Sequence, residues 1–188
     1  MRTNLKRMQY NNDWLIKRSQ EGENTQFLFF WGHRPSKDGS ITKTCFSQWW
    51  PSPFHVEGHT YPTAEHWMMA SKARLFGDDE IISKILGAPT PAEAKKLGRK
   101  VKNFDADLWE QHKFQIVVEG NFHKFTQHPA LKIFLLNTGE KVLVEASPVD
   151  AVWGIGMAED NPEVHNPESW RGENLLGYAL MEVRNQLK

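Results

Sequence analysis

Residues 61–72 read YPTAEHWMMASK, and this stretch decides the class of fold. Pro62 suits the first turn of a helix, because the amide hydrogen that proline lacks would have no partner there. Four side chains able to face a core then recur at helical spacing, namely His66, Met69, Ala70 and Ala73. The stretch therefore predicts a helix from Pro62 to about Phe76, and Gly77 is expected to end it.

Further helices are predicted along most of the chain. Capping side chains, glycine stops and apolar spacing predict them near residues 13–18, 78–86, 91–97, 105 or 107 to 125, 129–136 and 174–187. Short apolar runs and a turn at residues 57–58 predict strands at 27–31, within 53–61 and at 141–145. Residues 32–40 and 147–172 are predicted to be loops. We therefore predict a mainly α fold, of the α+β class, with a small β element.

Length and composition indicate one globular domain. The 188 residues carry 23 basic and 23 acidic side chains, so no net charge draws the protein to nucleic acid or to an anionic membrane. The single cysteine, Cys45, excludes a disulfide framework and favours a reducing compartment. No signal peptide or membrane span is evident, so we expect a cytoplasmic protein. Residues 1–24 are predicted to be an N-terminal extension, and residues 25–188 are predicted to be the domain.

The first candidate for chemistry lies on the helix that begins near Pro62. Glu65 falls in the first helical turn, where the helix dipole favours a carboxylate. Lys72 follows seven residues later, two turns and about 10 Å along the axis, on nearly the same face. The two side chains can point at one ligand from a rigid support. Spacing alone favours the alternative that both are solvated surface charges.

A second candidate is the loop at residues 147–156. It combines Asp150 and Trp153 with two glycines, which suits either a ligand-binding loop or an ordinary packed loop. Trp153 is one of eight tryptophans in the chain. Tryptophan is costly to leave exposed, so these rings are expected in the core, at a partner surface or in the wall of a ligand pocket.

Histidines and basic residues provide weaker signals. His55 and His59 flank a predicted hairpin turn and lack the helical spacing of a zinc protease, so we predict no metal site. The basic run at residues 95–102 includes Arg99 and can meet phosphate. A solvated helix face is the commoner meaning of such a run.

Several of these segments, taken together, resemble one family. In chain order they are Phe30, residues 47–54, residues 61–66 with Lys72, Gly98-Arg99, Trp109, Val144-Glu145-Ala146, Asp150-x-x-Trp153-Gly154-x-Gly156 and Asn174-x-Leu176-Gly177. The order resembles that of the YbiA-like family, also called NADAR for NAD and ADP-ribose related. The resemblance runs from about Phe27 to the C-terminus, and residues 1–24 lie outside it.

The resemblance implies a mainly helical fold and an N-glycosidase, a hydrolase for which we predict no cofactor. Some members hydrolyse the bond between ribose phosphate and an aminopyrimidine, a reactive early intermediate of riboflavin synthesis. Others remove ADP-ribose from modified guanine in nucleic acid. Both reactions break a C1′–N bond at ribose. The implied partner is a small phosphoribosyl or ADP-ribosyl substrate, and nucleic acid enters only in the second case.

The resemblance also suggests the site residues. An ionised Glu65 would stabilise the positive charge that develops on the sugar, or this residue would act as a general acid. Lys72 matches a lysine thought to form a Schiff base with the opened sugar, a step that requires a neutral amine and thus a lowered pKa. The residues expected to bind substrate through rings, polar groups or a phosphate contact are Phe30, Trp109, Trp153, Asp150, Asn174 and Arg99.

Two departures from the family pattern bear on the substrate. Many members have Ser-Asn-Phe where this chain has Ser47-Gln48-Trp49, and some bacterial members have an aspartate where it has Ile155. We favour the phosphoribosyl aminopyrimidine as substrate. The alternatives are an ADP-ribosylated guanine and, in a different class, a module that binds ADP-ribose-like ligands without catalysis.

Overall fold

The computed structural model describes residues 8–188, and the first seven residues of the predicted extension lie outside that range. In chain order the helices are α1 (Asn12–Gln20), α2 (Ala64–Leu75), α3 (Asp79–Leu86), α4 (Pro91–Gly98), α5 (Ala106–Gln127), α6 (Pro129–Leu136) and α7 (Leu175–Gln186). The strands are β1 (Phe27–Phe30), β2 (Phe54–Val56), β3 (His59–Tyr61) and β4 (Val142–Glu145). The predicted mainly α fold with a small β element is confirmed.

The chain forms two compact units. The central unit is Ser47–Lys132, and the terminal unit combines the described residues up to Phe46 with Ile133–Lys188. The second boundary between them falls inside α6. No helix among residues 8–188 has the length and apolar character needed to span a membrane.

In the central unit, α2 packs against α3, α4 and α5. The prediction that Pro62 lies in the first turn of α2 is wrong. Thr63 is extended and its hydroxyl accepts a hydrogen bond from the His66 amide, so Thr63 is the N-cap and the helix begins at Ala64. Every residue from Ala64 to Ala70 is buried, so α2 is the core helix of this unit.

Two glycines let α2 approach its neighbours closely. A Cβ atom on Gly98 would lie 2.0 Å from the Met69 sulfur, and one on Gly120 would lie 2.3 Å from the Trp67 ring. Helix α4 was predicted over residues 91–97. It extends one residue further to Gly98, and Arg99 is its C-cap. The role of Gly98 is therefore to admit a side chain of α2.

The terminal unit is built around a two-stranded parallel sheet. Strand β1 pairs with β4 in a register that places Phe27 opposite Val142 and Phe30 opposite Glu145. Helix α7 packs on β4 and is buried from Leu175 to Arg184. The long separation of the two strands along the chain makes this pairing non-local.

Helix α1 belongs to the same unit. Leu15 is fully buried, the Asn12 side-chain amide donates to the Gly172 carbonyl at 3.0 Å, and the Tyr178 hydroxyl donates to Asn12 at 2.9 Å. These contacts attach α1 to residues near the C-terminus. The predicted domain boundary at residues 24–25 stays a prediction.

Candidate active site

The first turn of α2 places Glu65 inside the central unit. The side chain is 2% exposed, and its backbone amide donates to the Gln48 carbonyl at 3.0 Å. That bond satisfies one of the amides that a helix leaves without an intrahelical partner at its start. The carboxylate is thus held on backbone that is itself anchored at both the cap and the first turn.

Lys72 lies two turns further along α2 and faces aromatic rings. Its Nζ is 4.2 Å from the centroid of the Phe104 ring and 5.4 Å from that of Trp109. No carboxylate within residues 8–188 pairs with it. Burial lowers the pKa of the Lys72 ammonium, because leaving water penalises its charge, whereas the ring faces favour the charged form.

The segment before β2 is fixed by buried polar groups of α5. The Asn121 side-chain amide donates to Gln48 Oε1 and to the Val117 carbonyl, each at 2.9 Å, and Lys124 Nζ donates to the Ser47 carbonyl at 3.0 Å. Asn121 and Lys124 are fully buried. Because the Gln48 carbonyl accepts from Glu65, these bonds connect α5 to the start of α2.

Sequence reasoning missed Asn121, Lys124 and Phe104. The first two lie on α5, whose apolar spacing predicts the helix but gives no sign of buried polar side chains. A buried lysine or asparagine looks the same in sequence as an exposed one. Phe104 is the aromatic residue in the largely polar connection between α4 and α5, and that ring is the signal in the sequence that could have indicated it.

Two other predicted residues of the central unit lie at its surface or edge. Trp109 is partly buried in the first turn of α5 and contacts Lys72. Arg99 is exposed at the C-cap of α4. The structure thus brings Lys72 and Trp109 together, with Glu65 on the same helix as Lys72.

In the terminal unit, Asp150 organises its own loop. Its Oδ1 accepts from the backbone amides of Val152 at 2.9 Å and of Trp153 at 2.8 Å. This local pattern is typical of an aspartate that closes a turn. Trp153 is partly buried within that turn, and its carbonyl accepts from Leu176.

Asn174 and Phe30 are fully buried in the terminal unit. Asn174 Oδ1 accepts from the Glu145 amide at 2.9 Å, and its Nδ2 donates to the Leu143 carbonyl at 3.0 Å. A Cβ on Gly177 would lie 2.1 Å from that same carbonyl. The Asn174-x-x-Gly177 spacing therefore seats α7 on β4. The Phe30 ring packs edge-on against Phe46 at 5.4 Å.

His55 and His59 are exposed on the β2–β3 hairpin. Val56 pairs with His59 and His55 pairs with Thr60, as the predicted hairpin requires. Across residues 8–188 no group of three or more His, Cys, Asp or Glu side chains is arranged to hold a metal ion.

Comparison with known proteins identifies the family. Residues 29–188 match the NADAR domain. The chain belongs to the NADAR family. The NADAR chain is 44% identical over 170 residues to a protein of Acanthamoeba polyphaga mimivirus named as an N-glycosidase, a match covering 87% of this chain and 98% of that one. It is 36% identical over 145 residues to an N-glycosidase of Nostoc punctiforme, with 77% and 85% covered.

Relatives of known structure agree with this assignment. The N-glycosidase YbiA of Escherichia coli is 36% identical over 142 residues, which cover 76% of this NADAR protein and 78% of YbiA. The NMR structure of the E. coli protein YbiA superposes with a TM-score of 0.69 at 32% identity and covers 88% of this chain and 86% of that one. The family resemblance predicted from sequence is confirmed.

Proposed function

We propose that this NADAR protein hydrolyses the C1′–N bond of a phosphoribosyl aminopyrimidine, with Glu65 and Lys72 as its catalytic residues. The reaction class follows from the relatives, which are named N-glycosidases: the chain is a hydrolase acting on N-glycosyl bonds of a small glycosylated molecule. The choice of substrate and the residue roles are the proposal.

The observation that carries the proposal is the environment of Lys72. An amine without a carboxylate partner lies beside two aromatic rings, on the same helix as a buried glutamate. A lysine in this setting has a larger neutral fraction at neutral pH than an exposed lysine, because burial lowers its pKa. Neutral amine is the form that attacks carbon.

These residues support a two-step reaction. The ring-opened form of the substrate presents C1′ as an imine carbon. The neutral Lys72 amine adds to C1′ of the protonated imine, and one proton then moves from the Lys72 nitrogen to the aminopyrimidine nitrogen. The bond from C1′ to that nitrogen breaks, the aminopyrimidine leaves as a neutral amine with the electron pair, and a protonated Schiff base remains between Lys72 and C1′. Water then adds to C1′, the bond to Lys72 breaks, and ribose phosphate is released. Glu65 stabilises the positive charge near C1′ and relays protons between water and the leaving nitrogen.

The remaining predicted residues are assigned roles that suit their surroundings. We propose that Trp109, already beside Lys72, stacks on the pyrimidine and that Arg99 meets the phosphate. Asp150 closes its turn through Oδ1, so we propose that it acts by holding this loop of the terminal unit. Trp153 lies in the same turn, and we propose that it acts with Asp150 in holding this loop. Phe30 and Asn174 are fully buried, so we propose that they act by shaping the backbone around β1 and β4.

The test is turnover by the purified protein with two substrates in parallel. One is the phosphoribosyl aminopyrimidine and the other is an oligonucleotide that carries ADP-ribosylated guanine. We expect release of ribose phosphate from the first and a rate at least tenfold lower with the second. Faster release of ADP-ribose would replace the proposal with the nucleic-acid reaction. Binding of ADP-ribose without turnover of either substrate would indicate a binding module.

A further inference from the structure

We propose that the central unit has a second ligand site, a cleft between α3 and α4 that binds a small phosphorylated molecule. The cleft has a volume of about 430 Å³. Its walls are formed by Lys84, Gly87, Ala88, Pro89, Glu93, Lys96, Leu97 and Lys100. The proposed catalytic residues Glu65 and Lys72 are not among them.

The charge of this cleft favours an anion. Three lysines, Lys84, Lys96 and Lys100, face it together with one carboxylate, Glu93. None of these three ammonium groups takes part in an ion pair within the part of the chain that the structure describes. Nearby Lys102 differs, because it is paired with Glu80 at 2.8 Å. Three like charges around one concavity repel one another, and a bound phosphate would relieve that repulsion.

The size of the cleft and its apolar surface, here called the floor, suit a ligand larger than inorganic phosphate. Ala88, Pro89 and Leu97 provide an apolar surface between the lysines. Ligand pockets of roughly 300–1,000 Å³ hold small organic molecules, so this cleft has room for a ring or sugar as well as a phosphate. Lys84 lies on α3, Lys96 lies on α4 and Lys100 follows α4. The three charges therefore come to the cleft from different parts of the backbone.

The lining of the cleft contains neither residue of the proposed catalytic pair, and its link to α2 runs through His66. His66 Nε2 contacts the Ala88 carbonyl at 3.0 Å, and this carbonyl belongs to the loop that lines the cleft. His66 follows Glu65 by one residue, so its side chain leaves the helix about 100° around the axis from Glu65. Lys72, seven residues after Glu65, returns to the Glu65 side. The residues that line the cleft are therefore different from those that we propose for catalysis.

The contact between His66 and Ala88 also fixes the cleft floor. A carbonyl can only accept, so Nε2 carries the hydrogen, and Nδ1 then accepts from the Thr63 hydroxyl at 2.8 Å. Burial lowers the pKa of His66, which keeps this neutral form at neutral pH. The loop at residues 87–89 is thus tied to the N-cap of α2, and the floor is formed before any ligand arrives.

Isothermal titration calorimetry with ADP, AMP and inorganic pyrophosphate tests the site. The variant combines Lys96→Gln with Lys100→Gln. The control is Lys95→Gln, which removes one positive charge from α4 outside the cleft. We expect at least tenfold weaker binding of ADP in the double variant and less than a twofold change in the control. Glu65→Gln should bind ADP in this cleft as the wild type does, whatever its effect on turnover.

Each outcome decides one point. Stronger binding of ADP or AMP than of pyrophosphate supports a ligand that uses the apolar floor, whereas equal binding restricts the site to the phosphate groups. The proposal fails if no titrant binds at millimolar concentration. It also fails if Lys95→Gln weakens binding as much as the double variant, because the effect would then come from general charge. Loss of ADP binding in Glu65→Gln would place ADP at the catalytic face instead.

Discussion

The two units use the polar residues of the family pattern in different ways. In the terminal unit, Asp150 and Asn174 bond to backbone amides and carbonyls, and Asn174 is fully buried between α7 and β4. In the central unit, Lys72 contacts rings and has no carboxylate partner within the described residues. In the terminal unit, these polar side chains hold the shape of the backbone. In the central unit, Lys72 instead faces aromatic rings and is the amine that we propose as the nucleophile.

A sequence motif contains polar residues with structural roles and polar residues with roles in chemistry. The difference between the units shows that hydrogen-bond partners distinguish the two kinds. A polar side chain whose donors and acceptors are all taken by backbone cannot also bind a substrate without leaving buried groups unpaired. A half-buried amine that faces aromatic rings gives up fewer existing hydrogen bonds when it bonds to a ligand. The comparison therefore predicts loss of activity from changes in the central unit and loss of stability from changes in the terminal unit.

Lys72→Met should give the largest effect. Methionine keeps the apolar contact with Phe104 and Trp109 but removes the nucleophile, so we expect kcat/KM to fall by about 10²- to 10³-fold with little change in unfolding free energy. Because neutral amine increases as pH rises through the lowered pKa of Lys72, wild-type kcat/KM should rise with pH and then level off.

Lys95→Met is the control, since it removes a lysine of the same unit outside the proposed site. Borohydride added during turnover should leave a reduced sugar adduct on the peptide that contains Lys72, detected by mass spectrometry. An adduct on another lysine, or a Lys72→Met enzyme within threefold of wild type, would contradict the assignment.

Asn174→Ala should give the next largest effect, on stability. The change leaves the Glu145 amide and the Leu143 carbonyl without their side-chain partner at the β4–α7 contact, which we expect to cost about 2–4 kcal/mol. Urea unfolding measures it. Asn137→Ala, at an exposed position of the same unit, should stay within about 0.5 kcal/mol of wild type. A stable Asn174→Ala protein with a large rise in KM would instead make Asn174 a substrate contact.

Asp150 should show the smallest effect. Asp150→Ala removes the acceptor for two backbone amides in a partly exposed turn, so we expect a loss of about 1 kcal/mol. Asp150→Asn keeps an oxygen at the same place and should recover most of that stability. If the asparagine variant unfolds as easily as the alanine variant, the turn depends on the negative charge and not on the hydrogen bonds.

Local signals explain why most elements could be predicted from the sequence. Thr90 and Asp105 accept from amides in the first turns of α4 and α5, and the Glu57-Gly58 turn joins β2 to β3. Each of these signals lies within a few residues of the structure that it specifies. The start of α2 was misplaced because Pro62 and Thr63 both suit a helix beginning, and only the hydroxyl contact with His66 decides between them.

The parts that could not be predicted depend on residues far apart in the chain. The parallel pairing of β1 with β4 joins strands more than 100 residues apart. The bond from Asn121 to Gln48 spans 73 residues, and no local pattern marks either partner. The contact between Lys72 and the Phe104 ring depends on the path of the loop before α5, which no local pattern predicts. The spacing of Glu65 and Lys72 along one helix could be predicted because it is local, whereas the residues that surround them could not.

The most direct test of the central claim is the turnover number of Glu65→Gln with the phosphoribosyl aminopyrimidine. Glutamine has nearly the same shape and leaves the backbone bond to Gln48 intact, so the variant removes the negative charge and replaces one carboxylate oxygen with an amide NH2 group. If Glu65 stabilises the charge that develops at C1′, kcat should fall by about 10²- to 10³-fold while the thermal midpoint stays within a few degrees of wild type. A folded Glu65→Gln protein with kcat within threefold of wild type would contradict the account.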